Sequence, residues 1–236
     1  MERAAAGGWF DRVILDLGRQ MRWSFLPPLM IYFSAGVSGL TAIVGAFFVK
    51  DYLDLSAAFL AGIGFWAGLP WALKMPLGHL VDLIWRWKAL LVWIGAGLVA
   101  ASLAIMYFLI AERDAMIALL PAQVWYVISA LLAPAGYVLQ DAVADAMSVE
   151  AVPKLDAAGA PIPEDAEKAM HTTMQTLGRF ALISGTVAVA LLNIVMFSGV
   201  GALDGAQKAE VYARIYLMAL AIPAISVSGV TLASLQ

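Results

Sequence analysis

The chain has 236 residues, of which 63% are hydrophobic and 13% charged, with a formal net charge of -3 and a mean hydropathy of +0.86. Soluble domains carry about 25% charged residues, so this composition excludes a water-soluble globular protein and indicates a membrane protein. The negative net charge, without a basic patch, disfavours nucleic-acid binding. With no cysteine and only two histidines, disulfides and thiolate metal sites are excluded, and we expect neither a metal site nor a cofactor.

Uncharged runs long enough to cross a bilayer recur along the chain. A hydrocarbon core about 30 Å thick requires roughly 20 apolar residues per helical crossing. The runs lack strict alternation, which favours helices over the strands of a barrel. They cover residues 23–49, 55–73, 89–111, 115–140, 180–203 and 215–236. The sequence therefore predicts an all-α, multi-pass membrane protein with six transmembrane helices.

The remaining segments divide the chain. Residues 1–22 lack the short apolar core of a signal peptide, and helically spaced apolar residues predict a cytoplasmic amphipathic lead-in, either lying in the membrane interface or packing on the bundle. Residues 23–150 hold helices 1–4. Residues 151–170 carry three prolines and mixed charge, which predicts a cytoplasmic loop acting as a tether. Residues 171–236 hold helices 5 and 6.

Lysine and arginine are distributed unevenly between the predicted loops. An N-terminus inside the cell places ten of these residues on the cytoplasmic side and four outside, which satisfies the positive-inside rule. The inner set is Arg3, Arg12, Arg19, Arg22, Lys74, Arg86, Lys88, Lys154, Lys168 and Arg179, and the outer set is Lys50, Arg113, Lys208 and Arg214. We therefore expect both termini to be cytoplasmic, in the inner membrane of the cell.

A charged segment, residues 78–88, interrupts the apolar sequence between the second and third runs. Gly78 would permit close approach of neighbouring helices, and Asp82 could cap or pair with an adjacent helix end. Arg86 and Lys88 stand where they could meet acidic groups of a neighbouring helix. This spacing predicts a gating element that a ligand can bias, with positive-inside anchoring as the plainer alternative.

Two acids fall near the cytoplasmic end of the predicted fourth helix. Asp141, Asp145 and Ser148 share one helix face, and acids at membrane depth usually meet a partner or a water-filled cavity. For Asp141, a proton carrier or solute contact and a structural role remain open. For Asp145 we favour a structural pairing with Arg86 or Lys88.

Two cations have a similar ambiguity. Lys74 would either extend to the cytoplasmic surface or face a cavity, and Arg179 would either mark the membrane interface or line that cavity. Trp71 is an interfacial or packing residue, or else a platform for a planar ring.

The 78–88 pattern, Gly-x-Leu-x-Asp-x-x-x-Arg-x-Lys, resembles the loop motif of the major facilitator superfamily. Further matching positions resemble the folate-biopterin transporter family over about residues 45–185. These positions are Leu69, Pro70, Trp71, Lys74, Gly78, Asp82, Asp141, Asp145, Glu150, Gln175 and Gly178. The resemblance makes Gln175 a further candidate for contact with the solute or a proton.

The resemblance implies a fold and a function. Because the superfamily has about twelve helices in two halves, it implies a major-facilitator-type N-terminal six-helix bundle. The expected partner is a second six-helix half, a second copy of the chain or a larger membrane complex. The expected function is secondary transport of a small organic solute, folate-like or pterin-like, by alternating access.

No catalytic motif is found, so we do not expect an enzyme. The alternative to transport is a non-transporting subunit or assembly factor of a larger membrane complex, for example a photosynthetic one, because fold does not dictate function.

Overall fold

The computed structural model describes residues 16–48, 55–156 and 158–235. Six helices are long and apolar enough to cross a bilayer, which confirms the predicted all-α, six-span architecture. In the described part of the chain the extended structure is limited to one isolated bridge, between Leu155 and Pro161. The spans are α1 Trp23–Phe48, α2 Ala57–Leu83, α3 Trp85–Ala111, α4 Ala122–Glu150, α5 Glu164–Ala202 and α6 Gly205–Ala233.

Several spans are composite. The α-helical parts of α1 are Leu26–Val37 and Ala42–Phe48, with 3-10 turns at Trp23–Phe25 and Ser38–Thr41. The other composite spans are α2 (Ala57–Ala72, Lys74–Leu83), α3 (3-10 Trp85–Trp87, then Lys88–Ala111), α5 (Glu164–Met196, then 3-10 Val200–Ala202) and α6 (Gly205–Ala219, Ala221–Ala233). Short helices at Asp16–Arg19 and Arg113–Leu119 lie outside the spans.

Prolines explain the interruption of α2 at Leu73. Pro70 and Pro76 lack an N–H, so the carbonyls of Trp66 and Ala72 lose the donor that a regular helix would supply. Leu73 accordingly leaves helical geometry, with φ -88° and ψ 6°. The second helical part of α2, Lys74–Leu83, therefore begins at the interruption.

The helices pack around α1 and α4. α1 contacts α4, α5 and α6; α3 contacts α4 and α6; and α2 packs on α4. Glycine allows the closest crossings, because a Cβ on Gly36 would lie 2.1 Å from the carbonyl oxygen of Leu182 in α5. Gly95 in α3 and Gly136 in α4 form a second such crossing. Each crossing leaves no space for a side chain.

Two buried apolar clusters fill the two ends of the bundle. One surrounds the end of α1 and the start of α6, with Val44 and Ile215 fully buried. The other surrounds the start of α1 and the end of α4, with Phe25 and Val143 fully buried. A hydrogen bond of 2.8 Å from the Ser24 hydroxyl to the Ala151 carbonyl joins the chain segments at this second end.

Most of the lead-in, residues 1–15, lies outside the described residues, so its prediction stays untested. The boundary after the predicted loop differs from prediction. The expected loop 151–170 is shorter than predicted, because α5 already begins at Glu164. Acids in its first turn interact favourably with the helix dipole, and Lys168 pairs with Glu164 at 2.7 Å. The charged residues that predicted a loop here instead stabilise the first turns of α5.

The fourth span is also shifted from the predicted 115–140. Pro121 separates the short helix Arg113–Leu119 from α4, which then continues to Glu150. Asp141 and Asp145 therefore lie inside α4 rather than after it, and both have ion-pair partners, described below.

A compact turn joins α4 to α5. The Asp156 carboxylate accepts hydrogen bonds from the backbone N–H groups of Ala158 and Ala160, at 2.8 and 2.9 Å. Gly159 has φ 80°, a left-handed conformation that glycine adopts without strain. With the Leu155–Pro161 bridge, these bonds give the tether a defined conformation.

Candidate functional site

Three helices bring a lysine, two aspartates and a tyrosine together. Lys74 Nζ, in α2, lies 2.5 Å from Asp141 Oδ2 and 2.8 Å from Asp145 Oδ2, both in α4. The Tyr32 hydroxyl, in α1, donates to Asp145 Oδ1 at 2.7 Å. We call these four residues the ion cluster.

The ion cluster lies well inside the bundle. Tyr32, Lys74 and Asp141 each stand nine positions from the near end of their span. At 1.5 Å per residue this is about 14 Å along each helix. Isolated charges at such a depth are costly, so mutual pairing is what allows the sequence to place them there.

The ion cluster borders a cavity of about 510 Å³ between α1, α2, α4 and α5. The Asp145 and Lys74 side chains are 49% and 35% exposed, whereas that of Asp141 is 11% exposed. Asp141 is therefore the enclosed acid and Asp145 the open one. The cavity walls also include Ala35, Trp71, Val149, Gln175, Gly178, Arg179 and Leu182.

Helix α5 contributes the remaining polar groups of the cavity. Arg179 lines it and has no ion-pair or hydrogen-bond partner among the described residues. Gln175 Nε2 donates to the Ser148 hydroxyl at 3.3 Å. A Cβ on Gly178 would lie 3.0 Å from the Tyr32 ring, so this glycine allows α5 to pack closely beside the ion cluster.

Arg179 was expected either to mark the membrane interface at the start of the fifth helix or to line the cavity. Because α5 begins at Glu164, Arg179 lies fifteen residues into the helix rather than at its start. It lines the cavity, as the other alternative expected. Lys74 likewise faces the cavity.

The cavity holds opposite charges in separate positions. With Asp141 and Asp145 ionised and Lys74 protonated, the ion cluster carries one net negative charge. Arg179 supplies a separate positive charge in the same cavity. Because Lys74 is already bound by two carboxylates, Arg179 is the cation that an incoming anion would meet.

The predicted pairing of Asp145 with Arg86 or Lys88 is wrong. Asp145 binds Lys74 instead, and Lys88 forms an ion pair with Glu150. The reason is depth: Glu150 ends α4, whereas Asp145 lies more than one helical turn deeper.

The charged segment 78–88 is mostly helix rather than loop. Gly78 and Asp82 belong to the helix Lys74–Leu83, and the chain turns at Ile84. Nothing in the described structure lies within 4 Å of a Cβ on Gly78, so the expected close helix approach there is wrong.

The cations of this segment make local contacts. Arg86 stacks on Trp87 with its guanidinium carbon 5.2 Å from the ring centroid, and Lys88 lies 4.3 Å from the centroid of Trp85. Trp85 Nε1 also donates to Glu150 at 3.3 Å. A gating role for Gly78, Asp82, Arg86 and Lys88 stays a prediction.

Sequence analysis missed Tyr32. The available signal was a tyrosine in the middle of the uncharged run 23–49, where a hydroxyl requires a hydrogen-bond partner.

Among the residues that the structure describes, no group of three or more metal-ligating side chains could hold a metal ion.

Comparison with known proteins finds a partial similarity. The chain is 40% identical over 75 residues to a folate-biopterin transporter of Synechocystis sp. (strain ATCC 27184 / PCC 6803 / Kazusa). The match covers 32% of this chain and spans 15% of the length of that relative. No family model matches the chain, and no solved structure matches it. The six apolar helices support a multi-pass membrane protein, and the similarity relates 75 residues of it to part of a transporter.

Proposed function

We propose that this protein takes part in secondary transport of a small organic anion, with the cavity beside the ion cluster as the solute site. The observation that carries the proposal is Arg179, an exposed cation without a partner in the described structure, which lines a cavity fifteen residues into α5. Charged side chains within a membrane span usually mark a solute or ion pathway. The 75-residue similarity to a transporter supports the same function.

The solute class follows from the cavity walls. Arg179 presents a planar guanidinium, which suits bidentate recognition of a carboxylate. Trp71 lines the same cavity and offers a ring face for stacking. An anion with a carboxylate and a planar ring fits both groups, and folate-like compounds, which join a pterin ring to glutamate carboxylates, meet that description. Pterin-like compounds without a carboxylate would use the ring face alone.

Proton coupling is proposed at Asp141. Asp145 accepts from both Lys74 and Tyr32, whereas Asp141 has Lys74 alone and is the less exposed acid. Protonation of Asp141 would disturb one such contact, whereas protonation of Asp145 would disturb two. A proton on Asp141 also removes the net negative charge that would repel an anion bound to Arg179, so proton and anion binding favour each other.

The same event supplies a conformational step for alternating access. Lys74 ties α2 to α4 through both carboxylates, directly after the interruption at Leu73. Protonation of Asp141 removes one of the two ties. The Lys74–Leu83 part of α2 is then freer to move relative to Ala57–Ala72, which gives a two-state element that solute and proton both bias.

We place the protein in a cytoplasmic membrane with both termini inside. The end of the bundle that holds the α2–α3 turn and the α4–α5 tether carries most of the described cations. They are Arg19, Arg22, Arg86, Lys88, Lys154 and Lys168. Arg113 and Lys208 lie at the opposite end, so the positive-inside rule supports this orientation.

Uptake of labelled folate into proteoliposomes tests the proposal. We expect an inward proton gradient to drive accumulation by the unaltered protein. Asp141→Asn should abolish gradient-driven accumulation but keep solute exchange at equal pH, because the altered residue no longer takes up a proton. Asp114→Asn, an exposed and equally charge-changing variant in the short helix Arg113–Leu119, should behave as the unaltered protein.

Two results would contradict this assignment. Full gradient-driven accumulation by Asp141→Asn would remove proton coupling from this residue. Failure of the unaltered protein to move folate, pterins or other carboxylated ring compounds would overturn the transport proposal itself.

The solute anchor is tested by Arg179→Gln. Charge-assisted hydrogen bonds contribute about 1.5–3 kcal/mol, so we expect the KM for uptake to rise by about ten- to hundredfold. Arg179→Lys should recover part of this loss because the charge is kept but the planar fork is not. Lys168→Gln, on the exposed first turns of α5, is the charge-matched control. An unchanged KM in Arg179→Gln would exclude it as the anchor.

A further inference from the structure

A second, larger cavity lies at the opposite end of the bundle from the ion cluster. It has a volume of about 900 Å³ and is enclosed by the ends of α1 and α5 and the start of α6. Its walls are mainly apolar, including Ile43, Val189 and Val200. The proposed solute site shares no residue with it.

Three aromatic rings form one wall of this outer cavity. The ring centroids of Phe47 and Tyr212 are 6.5 Å apart and their planes nearly parallel, at 10°. Phe197 lies 6.1 Å from Phe47 and 6.2 Å from Tyr212. Phe47 remains 42% exposed although it is part of this cluster, so the wall presents an open apolar surface to whatever occupies the cavity.

Two polar groups stand in this apolar setting. Asn193, in α5, is 8% exposed and lines the cavity, and its Oδ1 has no hydrogen-bond partner in the described structure. A buried hydrogen-bond acceptor without a donor is costly. The described structure supplies no donor to this oxygen, so a bound ligand would have to supply one. Lys208, in α6, also lines the cavity, is half-buried, and has no ion-pair partner among the described residues.

Both polar groups lie within one turn of a helix end, where lipid headgroups are expected if the helices cross a bilayer. Asn193 is three residues before the end of the helix Glu164–Met196, and Lys208 is three residues after the start of Gly205–Ala219. Three residues correspond to about 4.5 Å along a helix, less than one turn. The cavity thus combines a cation and a free acceptor near the membrane surface with an aromatic wall.

We propose that the outer cavity binds one anionic phospholipid of the surrounding bilayer. Lys208 pairs with its phosphate, a hydroxyl of its headgroup donates to Asn193 Oδ1, and an acyl chain lies against Phe47 and Phe197. Lysine binds phosphate as a point charge without requiring a planar partner. This inference is independent of the proposed transport function.

A lipid accounts for the site better than a free anion does. A small anion would use Lys208 and leave the rings and the remaining apolar walls without contacts. The exposed apolar side chains of α5 next to the cavity, Leu191, Ile194 and Val195, show that its mouth opens on an apolar face of the bundle, where lipid tails are the surrounding solvent.

Native mass spectrometry of the detergent-purified protein titrated with dioleoyl phosphatidylglycerol tests the proposal. We expect one tightly held lipid per chain, and about tenfold weaker binding of the zwitterionic dioleoyl phosphatidylcholine. Lys208→Gln should weaken phosphatidylglycerol binding about tenfold. Arg214→Gln is the matched control, because it removes the same charge from the same helix at an exposed residue already paired with Glu210.

Asn193→Leu separates lipid binding from folding. This variant should weaken phosphatidylglycerol binding, yet raise the melting temperature of lipid-free protein because a buried acceptor without a partner is removed. If the Asn193 side chain only stabilised the fold, Asn193→Leu would lower the melting temperature, and lipid binding would weaken as a result.

Three outcomes would overturn the proposal. Equal binding of phosphatidylglycerol by Lys208→Gln and Arg214→Gln would exclude the lysine as the headgroup contact. Equal binding of the anionic and zwitterionic lipids would exclude recognition of charge. Displacement of the lipid by millimolar inorganic phosphate would show a site for a free anion instead.

Discussion

Two groups of charges at the same end of the bundle differ in what surrounds them. The ion cluster is enclosed by three helices, and its lysine is shared between two carboxylates. The 78–88 segment is open: Asp82 and Arg86 are exposed, and Lys88 forms one ion pair at the rim. The 78–88 segment has the more distinctive sequence pattern, but it is the less enclosed of the two groups. We therefore expect substitutions to lower stability most in the ion cluster, where the charged side chains are shielded from water.

The largest effect on stability is expected for Lys74→Met. Removing the lysine leaves the enclosed Asp141 without its ion-pair partner. Breaking a fully buried pair costs about 3–5 kcal/mol, and because the Lys74 side chain is 35% exposed we expect a loss at or below the lower end of that range. The double variant Lys74→Met with Asp141→Asn should recover most of this loss, because the remaining Asp145 is half exposed and still bound by Tyr32. Unfolding in sodium dodecyl sulfate measures both. A double variant no more stable than the single one would contradict the ion-pair explanation.

A smaller effect is expected for Gly36→Ala at the crossing of α1 and α5. Its methyl group would meet the Leu182 carbonyl, forcing α1 and α5 apart at a cost of about 1–3 kcal/mol. Gly78→Ala is the matched control, because its Cβ enters open space within the helix Lys74–Leu83. Alanine there should stabilise that helix by up to about 1 kcal/mol. Equal losses for the two variants, measured by thermal unfolding, would contradict the difference in packing.

The smallest effect is expected for Lys88→Gln. The Glu150 side chain is 51% exposed and that of Lys88 is 26% exposed, and such rim pairs contribute about 0–1 kcal/mol. Folate uptake should then report whether the pair has a gating role: a change in rate with unchanged stability would support gating. A loss of stability as large as that of Lys74→Met would remove the distinction between the two charge groups.

Sequence reasoning identified the six spans because length and apolar composition suffice to define a crossing. It located Lys74, Asp141, Asp145, Gln175 and Arg179 as candidates, and the structure gathers all five at or beside one cavity. It assigned the wrong partner to Asp145, because the partner depends on how far α2 continues past Leu73. Tyr32 was missed since a single hydroxyl in an apolar run has no sequence pattern.

The boundaries were harder to predict than the spans. Charged residues were taken as the limits of membrane helices, yet α5 begins sixteen residues before the predicted start at 180. Hydropathy measures what a bilayer tolerates, whereas a helix continues wherever its backbone groups are satisfied and no proline interrupts them.

The helix Glu164–Met196 has 33 residues, about 50 Å at 1.5 Å per residue, against a hydrocarbon core about 30 Å thick. Its first turns therefore stand outside the membrane, next to the compact turn around Gly159 that Asp156 holds in place. A marker attached at this turn would be held rigidly relative to α5. A cysteine or an epitope placed at Gly159 would sit on a defined arm rather than a loose tether. It would serve both to determine which side of the membrane the turn occupies and to hold an antibody fragment for imaging so small a membrane protein.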